Sequence, residues 1–130
     1  MVGETNLEVL LNAMQPELLD TEFVFITLAK GQYADAVHLS PKAMIMEHEG
    51  MTLVIPKQKA DEFGHQYESI FQCITLKVHS SLDAVGLTAA FASKLAEHDI
   101  SANVIAGYYH DHIFVQCAKA QQAMAALKSI

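Results

Sequence analysis

"SSLDAVGLTAAFASKLAEHDISANVIAGYYHDHIFV", Ser80 to Val115, changes period twice within one short run. Between Leu82 and Asp99 it places Leu87, Phe91 and Leu95 four residues apart among alanines, the spacing of a narrow apolar helix stripe flanked by small, close-packing residues. After that the period shortens. "ISANVIAGYY" and "HIFVQC" read as strands about a short polar segment, the pattern of a hairpin. Upstream, "YESIFQCITLKVH" places Ile70, Ile74, Leu76 and Val78 on mostly alternating positions, and downstream "AKAQQAMAALKSI" is amphipathic at helical spacing. From Ile70 onward the predicted order is strand, helix, strand, strand, helix. A further strand would complete a ferredoxin-like βαββαβ unit, and none follows in the sequence.

The preceding residues show a complementary pattern. "NLEVLLNAM" spaces Leu7, Leu10, Leu11 and Met14 as a short amphipathic helix that Pro16 stops. "EFVFITLA", Glu22 to Ala29, is a continuous apolar and β-branched run that reads as a buried strand. Two extended runs, Ala43 to Glu47 and Thr52 to Ile55, flank "EHEG" as a hairpin, and Pro56 opens the polar helix "KQKADEFG". No clear helix lies between the first two strands unless "QYADAVH" supplies a turn of one. The 13-residue run from Tyr67 to His79 exceeds a usual strand, so two structural units are expected to share it. The predicted fold class is therefore α+β, with two ferredoxin-like halves of antiparallel sheet that share or exchange strands. The halves are residues 1–66, lacking a clear first helix, and 67–130, lacking a last strand.

Composition narrows the functional classes. At 130 residues the chain buries roughly two thirds of the surface its unfolded form exposes, enough for one domain or two small halves. Fifteen acidic residues against eight basic ones give a net charge of −7 without a basic cluster, so neither nucleic acid nor an anionic membrane is an expected partner. The N-terminal residues have no basic leader and no long apolar run, which points to a cytoplasmic protein. Cys73 and Cys117 sit singly in apolar runs and read as reduced, buried thiols rather than a disulfide or zinc motif.

The stretch from Ser80 to Val115 resembles an ACT domain. The family's marks are an Asp-x-x-Gly loop between first strand and first helix, here Asp83-Ala84-Val85-Gly86, and a helix ending in a phrase like "LAEHGI", here "LAEHDI". With "EGMTLVIP" and "YYHDHIFV", the chain from about Ala29 to Leu127 is similar to small stand-alone proteins with two ACT-like halves. Asp99 departs from the pattern where many ACT domains have glycine, and it must tolerate a left-handed backbone there. The resemblance implies a non-catalytic sensor or regulatory module with no cofactor, which pairs into a homodimer and binds a small-molecule effector such as an amino acid. It implies a ligand-binding loop of Ser80, Ser81, Leu82, Asp83, Ala84, Val85, Gly86 and Leu87. Backbone N–H groups there would receive a carboxylate, Gly86 would admit the ligand closely, and Asp83 would accept from an ammonium group. Alternatively Ser81 or Asp83 only caps the helix, leaving a structural interaction module without ligand.

His110 and His112 raise a third reading. Two residues apart in an extended chain, they point to one side and could share a metal ion, as in a metal-dependent protein. Asp111 would point the other way, so the missing ligands would have to come from His38, His48, His65, His79 or a distant carboxylate. No metal is therefore assigned, and Tyr108 to His112 is expected to be the hairpin connection, with Tyr108 and Tyr109 at a sheet margin. No nucleophile with an activating neighbourhood is visible, so no catalytic residue is assigned. Glu47, His48 and Glu49 read as a solvated turn rather than an acid–base cluster.

Overall fold

Asn6 accepts the Val9 N–H at 3.2 Å and so caps the first helix, α1 (Leu7–Ala13). Pro16 then opens β1 (Pro16–Leu28), at the first residue of a strand, where the missing N–H is tolerated. A computed structural model describes residues 6–77 and 85–130. The elements that follow are α2 (Tyr33–Ala36) continued by a 3-10 turn over Val37–Leu39, β2 (Ala43–Met46), β3 (Met51–Pro56), α3 (Lys57–Glu62) and β4 (Phe71–Leu76). After them come α4 (Leu87–Glu97), β5 (Asn103–Ala106), β6 (Asp111–Gln116), a 3-10 turn over Cys117–Lys119 and α5 (Ala120–Lys128). The fold is α+β with antiparallel strand pairing, as expected.

Two compact units gather these elements, Asp20–Phe71 and Met1–Leu19 with Gln72–Ile130. In the first, β3 lies between β2 and β1, with Phe23 opposite Pro56 and Met46 opposite Met51. One face of these strands buries Val24, Ile26, Met51, Leu53 and Ile55 against Ala36, Leu39 and Ala60 of the helical segments. "QYADAVH" does supply the helix that the sequence left open, its start held by the Gln32 N–H on Asp35 Oδ2 at 2.8 Å. The "EHEG" segment is the expected exposed turn, with the Glu47 N–H on Gly50 O at 2.9 Å.

In the second unit β6 lies between β4 and β5, and the far side of β4 is taken by β1, of which Pro16–Leu19 belong here. The Lys77 N–H donates to Gln15 O at 3.2 Å, the Gln72 amide to Leu19 O at 3.4 Å, and Lys77 pairs with Glu17. The C-terminal unit thus receives a strand from the N-terminal segment. Leu10 of α1 joins Phe91 and Leu95 of α4 and Leu127 of α5 over Ile74, Leu76, Ile113 and Val115 of the strands.

Two expectations about length are corrected. The 13-residue strand is β1, which begins at Pro16 rather than Glu22, whereas of the described residues 67–77 only Phe71–Leu76 are strand, the six-residue β4. Tyr67 is drawn away from strand geometry because its hydroxyl donates to Asp61 Oδ1 at 2.7 Å and its ring packs on the first unit's core. The expected halves, 1–66 and 67–130, follow chain order; the compact units do not, since residues up to Leu19 join Gln72–Ile130.

Candidate functional site

The segment that follows β4 is where the sequence put a ligand loop. Ser80, Ser81, Leu82, Asp83 and Ala84 lie outside the described residues. Val85 is 82% exposed, while Leu87 is buried in the core beneath α4. Gly86 between them has φ +102°, a left-handed conformation that glycine adopts without strain. Gly86 is also the N-cap of the eleven-residue α4 and brings no side chain to that end. The first N–H groups of a helix have no intrahelical acceptor, and an anion is one kind of partner that such an end can take.

The adjoining ends of β4 and β6 carry the second group of residues. β4 and β6 are hydrogen-bonded neighbours, and Thr75 Oγ1 meets His112 Nδ1 at 2.9 Å across them. Within β6 the residues alternate: Ile113 and Val115 face the helix-covered core, and Asp111, two residues earlier on that side, is only 7% exposed. Burial pushes the Asp111 carboxyl above its ordinary range, partly offset by the neighbouring His110 charge. The Nδ1 of His110 is itself buried without a hydrogen-bond partner among the described residues.

The hairpin expectation is corrected in detail. The connection is Gly107–His110, closed by the Gly107 N–H on His110 O at 2.9 Å, and Asp111 and His112 belong to β6 opposite Ala106 and Ile105. Strand pairing claims them because the register continues two residues past the expected end of the turn. Tyr108 and Tyr109 form the exposed tip, their rings edge to face at 5.0 Å. Among the described residues no group of three His, Cys, Asp or Glu side chains is placed to hold a metal ion. Cys73 is buried and Cys117 half-buried in the turn after β6, neither of them in a disulfide.

The burial of Asp111 is what sequence reasoning missed. The sequence places Asp111 only in the turn, pointing away from the histidines, yet Asp111, Ile113 and Val115 stand at alternate positions on the buried side of one strand. That alternation was the available signal.

Two family models, each describing an ACT domain, match residues 2–72 and 68–129. The first spans more than half of the chain, so the protein belongs to the ACT-domain family, whose members are in general regulatory, ligand-sensing modules rather than catalytic ones. Among solved structures it is similar to a Vibrio cholerae protein of unknown function, described as a possible transport protein, with 57% identity and a TM-score of 0.86 over 95% of this chain and 94% of that one. A protein from Agrobacterium tumefaciens matches with 12% identity and a TM-score of 0.69, over 89% of this chain and 87% of that one. The ligand-free regulatory subunit of aspartate kinase from Thermus thermophilus matches at 9% identity and a TM-score of 0.61, over 90% of this chain and 97% of that one; these two likenesses concern the fold. No curated protein matches. Among the described residues no helix is long and apolar enough to cross a membrane.

Proposed function

We propose that this protein is a non-catalytic ACT-type sensor or regulatory module that binds a small-molecule effector, an amino acid, at the strand-to-helix segment Ser80–Leu87. The observation that supports this most is Gly86, left-handed at φ +102° and capping α4 without a side chain. Such an end admits a carboxylate close to unsatisfied N–H groups, which a capping Ser or Asp at that position would occupy. A thermal-shift screen with the common amino acids tests the reading, because a ligand that binds only the folded state raises the midpoint with its occupancy. No response to any amino acid would overturn it.

The same reading includes a homodimer in the cytoplasm. Among the described residues β2 has a sheet neighbour on one side only, and Ile45 and Met46 on it are about half exposed. An apolar edge strand of this kind is stabilised when a second copy covers it. Cys73 and Cys117, neither in a disulfide, agree with a reducing compartment. Light scattering at micromolar concentration is expected to give twice the chain mass; a monomer mass would contradict this part.

A further inference from the structure

Backbone pairing along β2 decides which of its groups are open to a neighbour. At the turn, the Glu47 N–H donates to Gly50 O at 2.9 Å and the Gly50 N–H returns a bond to Glu47 O at 3.3 Å. Glu47 and Gly50 are therefore a hydrogen-bonded pair, next in the ladder to Met46 opposite Met51. Such pairs alternate along antiparallel strands, so Ile45 bonds inward to Thr52 and Ala43 to Val54. The N–H and C=O groups of Met44 and Met46 then point to the other side of β2, where no strand lies among the described residues.

Both ends of this open edge are closed. Lys42, just before β2, already donates its N–H to Val54 O at 2.7 Å, and His48 lies in the turn. What remains is Met44-Ile45-Met46, whose outward backbone groups are those of its first and last residues. Met44 packs against the core, so Met46 shares that side of the strand and Ile45 takes the other. Ile45 is 47% and Met46 52% exposed. The outer strand of the other unit, β5, differs: its exposed residues are Asn103 and Ala106, and Val104 and Ile105 are half-buried.

Any extended chain could bond to the backbone of Met44 and Met46; the side chains decide which one fits. β2 fits itself. About a two-fold axis through Ile45, Met44 of one copy stands opposite Met46 of the other, and each gives and receives a backbone bond. Ile45 then lies against Ile45 of the second copy, and Met44 against Met46, so these cross-strand pairs are apolar on both sides of the sheet. Ala43 comes opposite Glu47 of the second copy, which brings Lys42 next to that carboxylate at each end. Other registers fail. An axis through Met44 would set Met46 against Lys42, whose N–H is taken, and an axis through Met46 would set Met44 against His48 in the turn.

We propose that β2 is the strand by which this protein recognises a second copy of itself, paired antiparallel about Ile45 in a single register through the backbone groups of Met44 and Met46. This rests on the reading of the chain as a homodimer and adds the groups and the register that join the copies. The test uses the full chain. Met46→Pro removes the outward N–H in each copy and spares the inward bonds to β3, which belong to Ile45 and Glu47. It is expected to raise the dimer dissociation constant about 30-fold or more in sedimentation over a range of concentrations, one donor being lost from each copy. Met46→Leu keeps the N–H and is expected to stay close to the parent. Amide exchange of the unsubstituted protein gives a second reading that needs no variant to fold. The Met44 and Met46 amides are expected to slow as concentration rises through the dissociation constant, and the Ile45 amide to be slow throughout. A dimer whose Met44 and Met46 amides exchange alike at all concentrations, or a folded Met46→Pro protein that dimerises like its parent, would overturn the β2 pairing and leave the homodimer standing. A protein that is monomeric at every concentration would overturn both.

Discussion

Asp111 is ordinary in composition and unusual in place. Because burial raises its carboxyl above the ordinary range, the folded chain holds a proton at pH values where the unfolded chain has released it. The stability tied to this group is therefore full at acid pH and is lost as pH rises through the raised folded value. Asp111→Asn has no charge to desolvate, so the ligand-free variant is expected to melt higher than the parent at about pH 7 and to lose that advantage toward about pH 3, where the aspartate is neutral. Thermal midpoints across that range check it, and a variant less stable than the parent at neutral pH would contradict the account. The pattern Asp111, Ile113, Val115 was legible in the sequence as one side of a strand. That the side was the inner one for Asp111 was not, because a polar residue at a strand end reads equally well as the first residue of a turn.

At the scale of elements, α4 shows how local sequence and local geometry agree. Leu87, Phe91 and Leu95 are all buried, as their spacing predicts, and the helix ends with Asp99 at φ +58°, the left-handed residue expected where related chains carry glycine. Asp99→Gly removes the Cβ strain and is expected to stabilise the protein by up to about 1 kcal/mol. Little opposes the gain: the Lys119 ammonium keeps its bond to the Asp99 carbonyl at 2.6 Å, and its contact with the carboxylate is exposed. Denaturant midpoints measure the change, and a destabilised glycine variant would show that the carboxylate matters more than the strain. Strand lengths were less legible than helix faces. Continuous apolar runs fix neither end of a strand, so "PELLDT" was missed as the start of β1, and "YESI" was taken into β4 although Tyr67 is held by Asp61.

For the whole molecule, the telling residue is Leu10. It lies near the start of the chain, is fully buried, and packs in the core formed by α4, α5, β4 and β6. Leu10→Ala is expected to cost about 2–5 kcal/mol, as deletion of a buried leucine does, and to weaken the distant C-terminal strands. Faster amide exchange at Ile113 and Val115 would display this; unchanged exchange there would mean that α1 is dispensable to that unit. The order of elements, the helix faces and the left-handed Asp99 were all present in the sequence, because each depends on residues within a few positions of one another. Which strand closes the C-terminal half, and that Asp111 is buried in β6 rather than exposed in a turn, were settled only by tertiary structure. Both depend on pairing between residues far apart in the chain, where hydrogen bonds and burial choose the partner and local pattern has no say.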